Sequence, residues 1–357
     1  MPRSIERAVP LSLALQGGGA HGAYTWGVLD ALLEAGAVRP VAASGASAGA
    51  INAVVLAHGL AEGAGQADGG AQAAREALSR FWTTLGEKAP LDWVTQWVVG
   101  PGQSAAEGVP ALNPAAQVLM HWSQYLSPSQ LNPLGLNPLR ELLLQQIDFT
   151  RLRVASPLRL HIAATHALTG RLRLFTAEEL SVEVVLASAC LPTLQPAVVI
   201  EGEPYWDGGY SANPALFPLV DEGAARDVLI VMLSALRHPA LPTAAAAIRE
   251  RAVEIAFNAS FQREARLLGE AGARARRRPW SWWCGGSLDR RLARLRWHLI
   301  DAQEDLAHLP SQTKLLPHLA FLQRLQQLGR ARALLWLAGP GQAVGRAGSV
   351  DLAEVFA

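Results

Sequence analysis

Between residues 11 and 58 one order of residue types occurs twice. Leu11 to Leu15 (LSLAL) is a short apolar run, Gly17-Gly18-Gly19 breaks it, and Ala23 to Leu33 is rich in Ala, Leu and Val. Val41 to Ala43 is then a second short apolar run, Ser44 to Gly49 (SGASAG) a second small-residue turn, and Ala50 to His58 a second run of helix formers. Strand, glycine turn, helix, repeated, predicts a parallel α/β sheet, because parallel neighbours need a long crossover and a helix supplies it.

Further along, His161 to Thr165 and Arg171 to Phe175 read as a strand pair around Thr169-Gly170. Val182 to Ala189 is helical or extended and is stopped by Pro192; Ala197 to Ile200 and Pro204 to Trp206 read as a hairpin across Glu201-Gly202. Asp227 to Leu233 is another buried strand, and Arg294 to Ile300 a last one. Residues 59–76 read as a Gly, Ala and Gln loop. Residues 78–139, broken by prolines and carrying Trp82, Trp93, Trp97 and Trp122, read as an insertion and a lid candidate. After Arg237 the pattern turns helical, over Ala244 to Leu268 and Gln312 to Leu337.

Charge divides the chain at the same place. Residues 1–236 hold 13 basic and 20 acidic side chains, whereas 237–346 hold 18 basic and 8 acidic, and the whole chain has a net charge of only +1. The expected division is a catalytic α/β unit over 1–236 and a mainly helical, Arg-rich region over 237–357. A chain of 357 residues has room for both. The near-neutral total offers no global field for nucleic acid. Two cysteines, Cys190 and Cys284, exclude a disulfide scaffold and a CxxC metal pair. The start of the chain has too short an apolar run for a signal peptide, and no run of about 18 apolar residues offers a spanning helix. The location expected from this is cytoplasmic.

Two turns carry candidate chemistry. Gly17-Gly18-Gly19-Ala20-His21-Gly22 lies between a strand and a helix, so its backbone N–H groups converge at the positive end of a helix dipole. A dinucleotide site would want an acidic residue at the end of the second strand, about 20 residues on, and that strand runs into Ser44-Gly45 instead. An anion cradle or oxyanion hole fits better. Gly45-Ala46-Ser47-Ala48-Gly49 has the small neighbours of a nucleophile elbow, which exposes Ser47 at a helix start.

A nucleophilic serine needs a base. His238, His298, His308 and His318 come late enough in the chain for a Ser…Asp…His order, but none sits in a Gly-rich loop after a clear strand. Asp207-Gly208-Gly209 follows the hairpin and precedes Asn213-Pro214, which puts a carboxylate on a turn at a strand end. A carboxylate hydrogen-bonded to the serine acts as base directly. Asp68-Gly69-Gly70 repeats the motif with no strand before it and reads as solvated.

With these residues in order, the chain resembles the patatin-like phospholipases. The resemblance spans about residues 11–235. It rests on GGGxxG at Gly17 to Gly22, on GxSxG at Gly45 to Gly49 continued by Ala50-Ile51-Asn52, on Ala187 to Pro192, and on Asp207-Gly208-Gly209. It implies a three-layer α/β/α sheet with a nucleophile elbow, here followed by a mainly helical C-terminal extension. It implies a Ser–Asp dyad of Ser47 and Asp207, an oxyanion hole of the Gly17, Gly18 and Gly19 amides, and no metal or cofactor. The fifth place of GGGxxG is usually Arg or Lys in the family and is His21 here, which would make a permanent cation a titratable one. The activity implied is hydrolysis of a lipid ester, of phospholipase A, lysophospholipase or esterase type. An acyltransferase with a histidine base, a storage-polyester hydrolase and a non-catalytic membrane-binding protein are the alternatives. Residues 274–297, with eight arginines and Trp280, Trp282, Trp283 and Trp297, suit peripheral contact with an anionic membrane.

Overall fold

The computed structural model of the chain describes residues 8–87, 137–238, 240–277 and 286–357. Its centre is an eight-stranded sheet in the order β5-β6-β3-β2-β1-β7-β8, with β4 also paired to β3. The first strands, β1 (Val9–Leu15) and β2 (Val38–Gly45), pair in parallel, as the repeated strand–turn–helix pattern requires. β3 (Arg159–His166) continues parallel to β2. β7 (Asp227–Met232) and β8 (Arg296–Asp301) extend the other side, also parallel. β4 (Leu172–Phe175), β5 (Val198–Ile200) and β6 (Glu203–Asp207) form antiparallel pairs at the far edge, so both expected hairpins are present.

Alternation along the strands builds two cores. Leu11, Leu13, Leu15, Leu229 and Val231 belong to one. Ala14, Ala42, Val228, Ile230 and Met232 belong to the other. The first face is covered by α1 (Gly22–Ala35), α2 (Ala48–Glu62), α3 (Ala71–Glu87), α4 (Pro138–Gln146), α5 (Phe149–Ala155) and α6 (Val182–Ser188). The second carries α7 (Phe217–Glu222), α8 (Ala245–Arg277), α9 (Ser287–Arg294) and, after α10 (Leu319–Ala338), the short α11 (Leu352–Val355). This is the three-layer α/β/α arrangement with a helical C-terminal region.

That region is built into the sheet. β8 hydrogen-bonds to β7 over six residue pairs, so position 237 lies between two strands of one sheet. α10 crosses α1 on the first face, backbone against backbone: a Cβ at Gly27 would lie 1.9 Å from Gln326 O, and one at Gly329 2.0 Å from Tyr24 O. Beside that crossing, Arg330 grips Asp30 and Glu34 of α1, which Arg75 of α3 also holds at 2.7 and 3.0 Å. Part of the C-terminal excess of positive charge therefore meets the acidic N-terminal part directly.

Three expectations need correction. Residues 59–76 are not one loop, because α2 runs to Glu62 and α3 starts at Ala71; the Ala and Gln content favours helix, and only the stretch 63–70, with glycines at 63, 65, 69 and 70, interrupts it. The helix expected to end at Leu268 runs unbroken to Arg277. Trp297 is only 5 % exposed, since alternation along β8 turns it into the second core, so it is unavailable to a membrane. Of the lid candidate, residues 78–87 are the end of α3 and Trp82 is a core side chain. Residues 88–136, with Trp93, Trp97 and Trp122, lie outside the described residues, as do Trp280, Trp282 and Trp283.

Candidate active site

β1 and β2 finish side by side, Leu15 opposite Gly45, and both glycine turns leave from that edge of the sheet. Ligand sites in open parallel sheets gather at this carboxyl edge.

The second turn is an elbow. Ser47 has φ 52° and ψ −124°, a conformation that side-chain-bearing residues adopt only when the surroundings enforce it, at a cost of about 1–3 kcal/mol. The enforcement is steric and polar. A Cβ at Gly45 would lie 2.5 Å from the Gly49 carbonyl carbon, and one at Gly49 would lie 2.0 Å from Leu15 O. The Ser47 amide donates to Ser188 Oγ at 3.0 Å and to Ser188 O at 3.1 Å. Behind the elbow, Asn52 ties α2 to α1 through Gly22 O and receives the Trp82 indole N–H, both at 2.9 Å.

Asp207 ends β6, and Gly208 and Gly209 turn the chain away from the sheet. The Asp207 amide donates to Cys190 O at 2.8 Å and its carbonyl accepts from Thr165 Oγ1 at 2.8 Å. Its carboxylate accepts the Gly209 amide at 2.7 Å and faces the Ser47 side chain, whose hydroxyl favours the charged form. The carboxyl is 1 % exposed. Burial raises its pKa to about 7, and the Gly209 amide and Ser47 hydroxyl offset only part of that rise. Near neutral pH both forms are populated, as suits a group that accepts a proton and returns it.

The first turn stands against the elbow. A Cβ at Gly17 would lie 2.8 Å from Ser47 Cβ. Its amide is already engaged, donating to Asn213 Oδ1 at 2.8 Å. Among the described residues the Gly18 and Gly19 amides have no partner, so of the three expected oxyanion donors these two are available. Gly19 has φ 57°, and a Cβ there would lie 2.2 Å from Lys314 O. The turn Ser311–Leu315 thus forms the back wall of the glycine loop.

His21 does not serve as a titratable cation at this loop. It is 2 % exposed, bonded through Nε2 to Thr313 Oγ1 at 2.8 Å, and packed edge-on against Phe321. Burial, with the nearby Lys314 charge, lowers its pKa to about 3, so it is neutral at physiological pH.

The other sequence candidates lie elsewhere. His298 is bonded to Asp227 and Ser349 inside the sheet, and His238 pairs with Glu254. Among the described residues no histidine is bonded to Ser47. Asp68 is exposed, and its carboxylate accepts the Gly70 and Gln72 amides at the start of α3. Residue patterns did not single out Ser188, Asn213 or Thr165. Ser188 lies within the quoted Ala187 to Pro192 segment, and the structure explains that segment: it holds the backbones of both Ser47 and Asp207.

Comparison with known proteins gives the family. No curated protein matches the sequence. Among solved structures, VipD from Legionella pneumophila aligns with 17 % identity over 91 % of this chain and 67 % of its own, at a TM-score of 0.36. The type III effector protein ExoU aligns with 18 % identity over 91 % of this chain and 54 % of its own, at a TM-score of 0.28. ExoU in the heterodimeric complex ExoU–SpcU from Pseudomonas aeruginosa aligns with 16 % identity, over 92 % and 52 %, at 0.26. This chain therefore spans about half the length of the ExoU chains. Residues 13–220, more than half of the sequence and the stretch that holds both glycine turns, the elbow and Asp207, match the patatin-like phospholipase profile, and the chain belongs to that family of lipid hydrolases.

Proposed function

We propose that the chain is a serine lipid acyl hydrolase, of phospholipase A, lysophospholipase or esterase type, working through a Ser47–Asp207 dyad. The observation that carries this is the buried Asp207 carboxylate set beside the Ser47 side chain, whose hydroxyl favours its charged form. Ionised Asp207 removes the hydroxyl proton as Ser47 Oγ attacks the acyl carbon. The carbonyl oxygen becomes an oxyanion and is stabilised by the Gly18 and Gly19 amides, with the dipole of α1 behind them. Collapse of the tetrahedral adduct breaks the C–O bond, and the proton on Asp207 passes to the departing alkoxide. Asp207, ionised again, then deprotonates a water that attacks the acyl-Ser47 ester; the Ser47 C–O bond breaks, the proton on Asp207 returns to Ser47 Oγ, and the fatty acid is released. The scheme uses no metal or organic cofactor.

The acyltransferase alternative needs a histidine base, and the contacts of His238 and His298 take those two away from Ser47. A cytoplasmic location belongs to the same reading. So does peripheral contact with an anionic membrane, which rests on the arginines of 274–297. Among the described residues no helix is long and apolar enough to cross a membrane.

The experiment is hydrolysis of chromogenic acyl esters of graded chain length, with and without anionic vesicles. Wild type is compared with Ser47→Ala, Asp207→Asn and Asp68→Asn. The first two variants are expected to lose about a thousandfold or more in kcat/KM, and the third to match wild type. Full activity in Asp207→Asn would remove the dyad from the mechanism.

A further inference from the structure

At the opposite edge of the sheet, where β7 and β8 begin, two cavities adjoin. The larger, of about 410 Å³, is lined by Arg226, Arg276, Arg294, Arg296 and Arg346. The smaller, of about 280 Å³, shares Arg226 and Arg294 and adds Arg290 and Arg291. Strand β7 separates this edge from the catalytic one by roughly 17 Å, at about 3.3 Å per residue.

The charges there are only partly compensated. Arg296 pairs with Asp227 at 3.1 Å and Arg291 with Asp221 at 3.6 Å. Arg226, Arg276 and Arg346 have no carboxylate partner among the described residues. Among the described residues the one acidic side chain lining either cavity is Asp351, whose Oδ1 accepts the Ala353 amide at the start of α11.

The cavity wall is held from within. Asp227, 2 % exposed, accepts from Arg296 and from the Gly345 amide at 3.0 Å, and is bonded to His298 Nε2 at 3.0 Å. His298, fully buried, is bonded through Nδ1 to Ser349 Oγ at 3.0 Å. The Ser349 and Val350 amides donate to Trp297 O at 2.9 and 3.2 Å. These bonds pin residues 345–350 to the sheet and fix Arg346 at the rim. The arginines thus project from five separate elements: the turn before β7, the end of α8, α9, the start of β8, and the 345–350 segment.

We propose that these joined cavities bind a compact phosphate-bearing anion, at a site separate from the catalytic edge. Several guanidinium forks converging from fixed backbones match the three oxygens of a phosphate monoester and donate in bidentate pairs. The concave, limited volume suits one to a few phosphate groups. A soluble polyphosphate and a phosphorylated lipid headgroup share this chemistry.

The test uses the full chain and needs no catalytic activity. Binding of inorganic tripolyphosphate is measured by calorimetry at low salt. Separately, the protein is pelleted with phosphatidylcholine vesicles containing phosphatidic acid, against vesicles containing phosphatidylserine. Wild type is compared with Arg226→Gln/Arg346→Gln, two exposed side chains whose loss leaves the Asp227–His298–Ser349 network in place; equal melting temperatures check this. Tripolyphosphate binding at least tenfold weaker in the variant supports a soluble ligand. Pelleting that requires phosphatidic acid and fails in the variant, without tripolyphosphate binding, supports a lipid headgroup. Absence of binding to both probes, or binding unchanged by the substitutions, overturns the proposal.

Discussion

Gly17 and Asn213, 196 residues apart in sequence, are joined by a 2.8 Å hydrogen bond from the Gly17 amide to Asn213 Oδ1. The bond ties the start of the glycine loop to the chain just beyond Asp207. It therefore sets the spacing between the glycine amides and the Asp207 carboxylate, proposed above as oxyanion donors and base, which geometry at a reacting centre must hold to within about 0.5 Å.

Asn213→Ala is expected to leave the buried Gly17 amide unpaired and to let the loop drift. The fold should lose about 1–3 kcal/mol and kcat about ten- to a hundredfold, with KM nearly constant. Ester kinetics and thermal unfolding measure both. A wild-type kcat in a correctly folded variant would show that the loop is positioned by other contacts.

Asp207 ties activity and stability to pH in opposite senses. As a base it must be ionised, so kcat/KM should rise with pH and level off above about 7. For stability, the folded carboxyl stays protonated between its unfolded value of 3.8 and about 7, while the unfolded chain has lost that proton. The folded state binds more protons in this window, so its stability from this group falls as pH rises through it. Asp207→Asn lacks that decline. Its melting temperature relative to wild type should climb between about pH 4 and 7 and hold steady above. A pH-independent difference would mean that Asp207 is ionised throughout.

His21 acts with the reverse sign. Its folded pKa of about 3 lies below the ordinary 6.5, so its neutral form adds stability above 6.5 that is lost as pH falls toward 3. His21→Arg restores the residue type usual for the family and places a permanent cation in an apolar pocket beside Lys314. We expect a loss of about 3 kcal/mol and a melting temperature lower by about 5 °C or more. A variant at least as stable as wild type would refute the buried, neutral placement.

Gly329→Val addresses the C-terminal region. The branched side chain would push α10 off Tyr24 O and separate α1 from α10. A drop of about 3 kcal/mol or more is expected, comparable to gross overpacking of a core. Because β8 enters both cores and α10 the first, calorimetry should show one cooperative transition for residues 1–236 and 237–357 together. Two separate transitions would establish independent domains.

Much of the site was legible because it is local. Strand, turn and nucleophile lie within ten residues at the elbow, and small residues at 45 and 49 report the crowding that the structure shows there. The Asp207 turn was legible from the hairpin before it. What stayed hidden depends on contacts between distant segments. Asn213 meets Gly17, Ser188 meets Ser47, and Thr313 covers His21, with no local pattern announcing any of them. α8 escaped full recognition because its outer face is polar and its buried apolar residues, Phe261, Ala265, Leu268 and Ala275, are sparse. Trp297 misled because composition registers a tryptophan among arginines and not the strand that turns it inward.

α8 is one uninterrupted rod that touches both edges of the sheet. Phe257 lies against the Asp207-Gly208-Gly209 turn, where a Cβ on Gly209 would come within 2.5 Å of its ring, and Arg276 lines the arginine cavity. The two residues are about 29 Å apart along the axis, at 1.5 Å per residue, so a tilt of about 4° pivoting at Arg276 carries Phe257 through about 2 Å. A single continuous helix therefore borders both the arginine cavity and the backbone turn that carries Asp207.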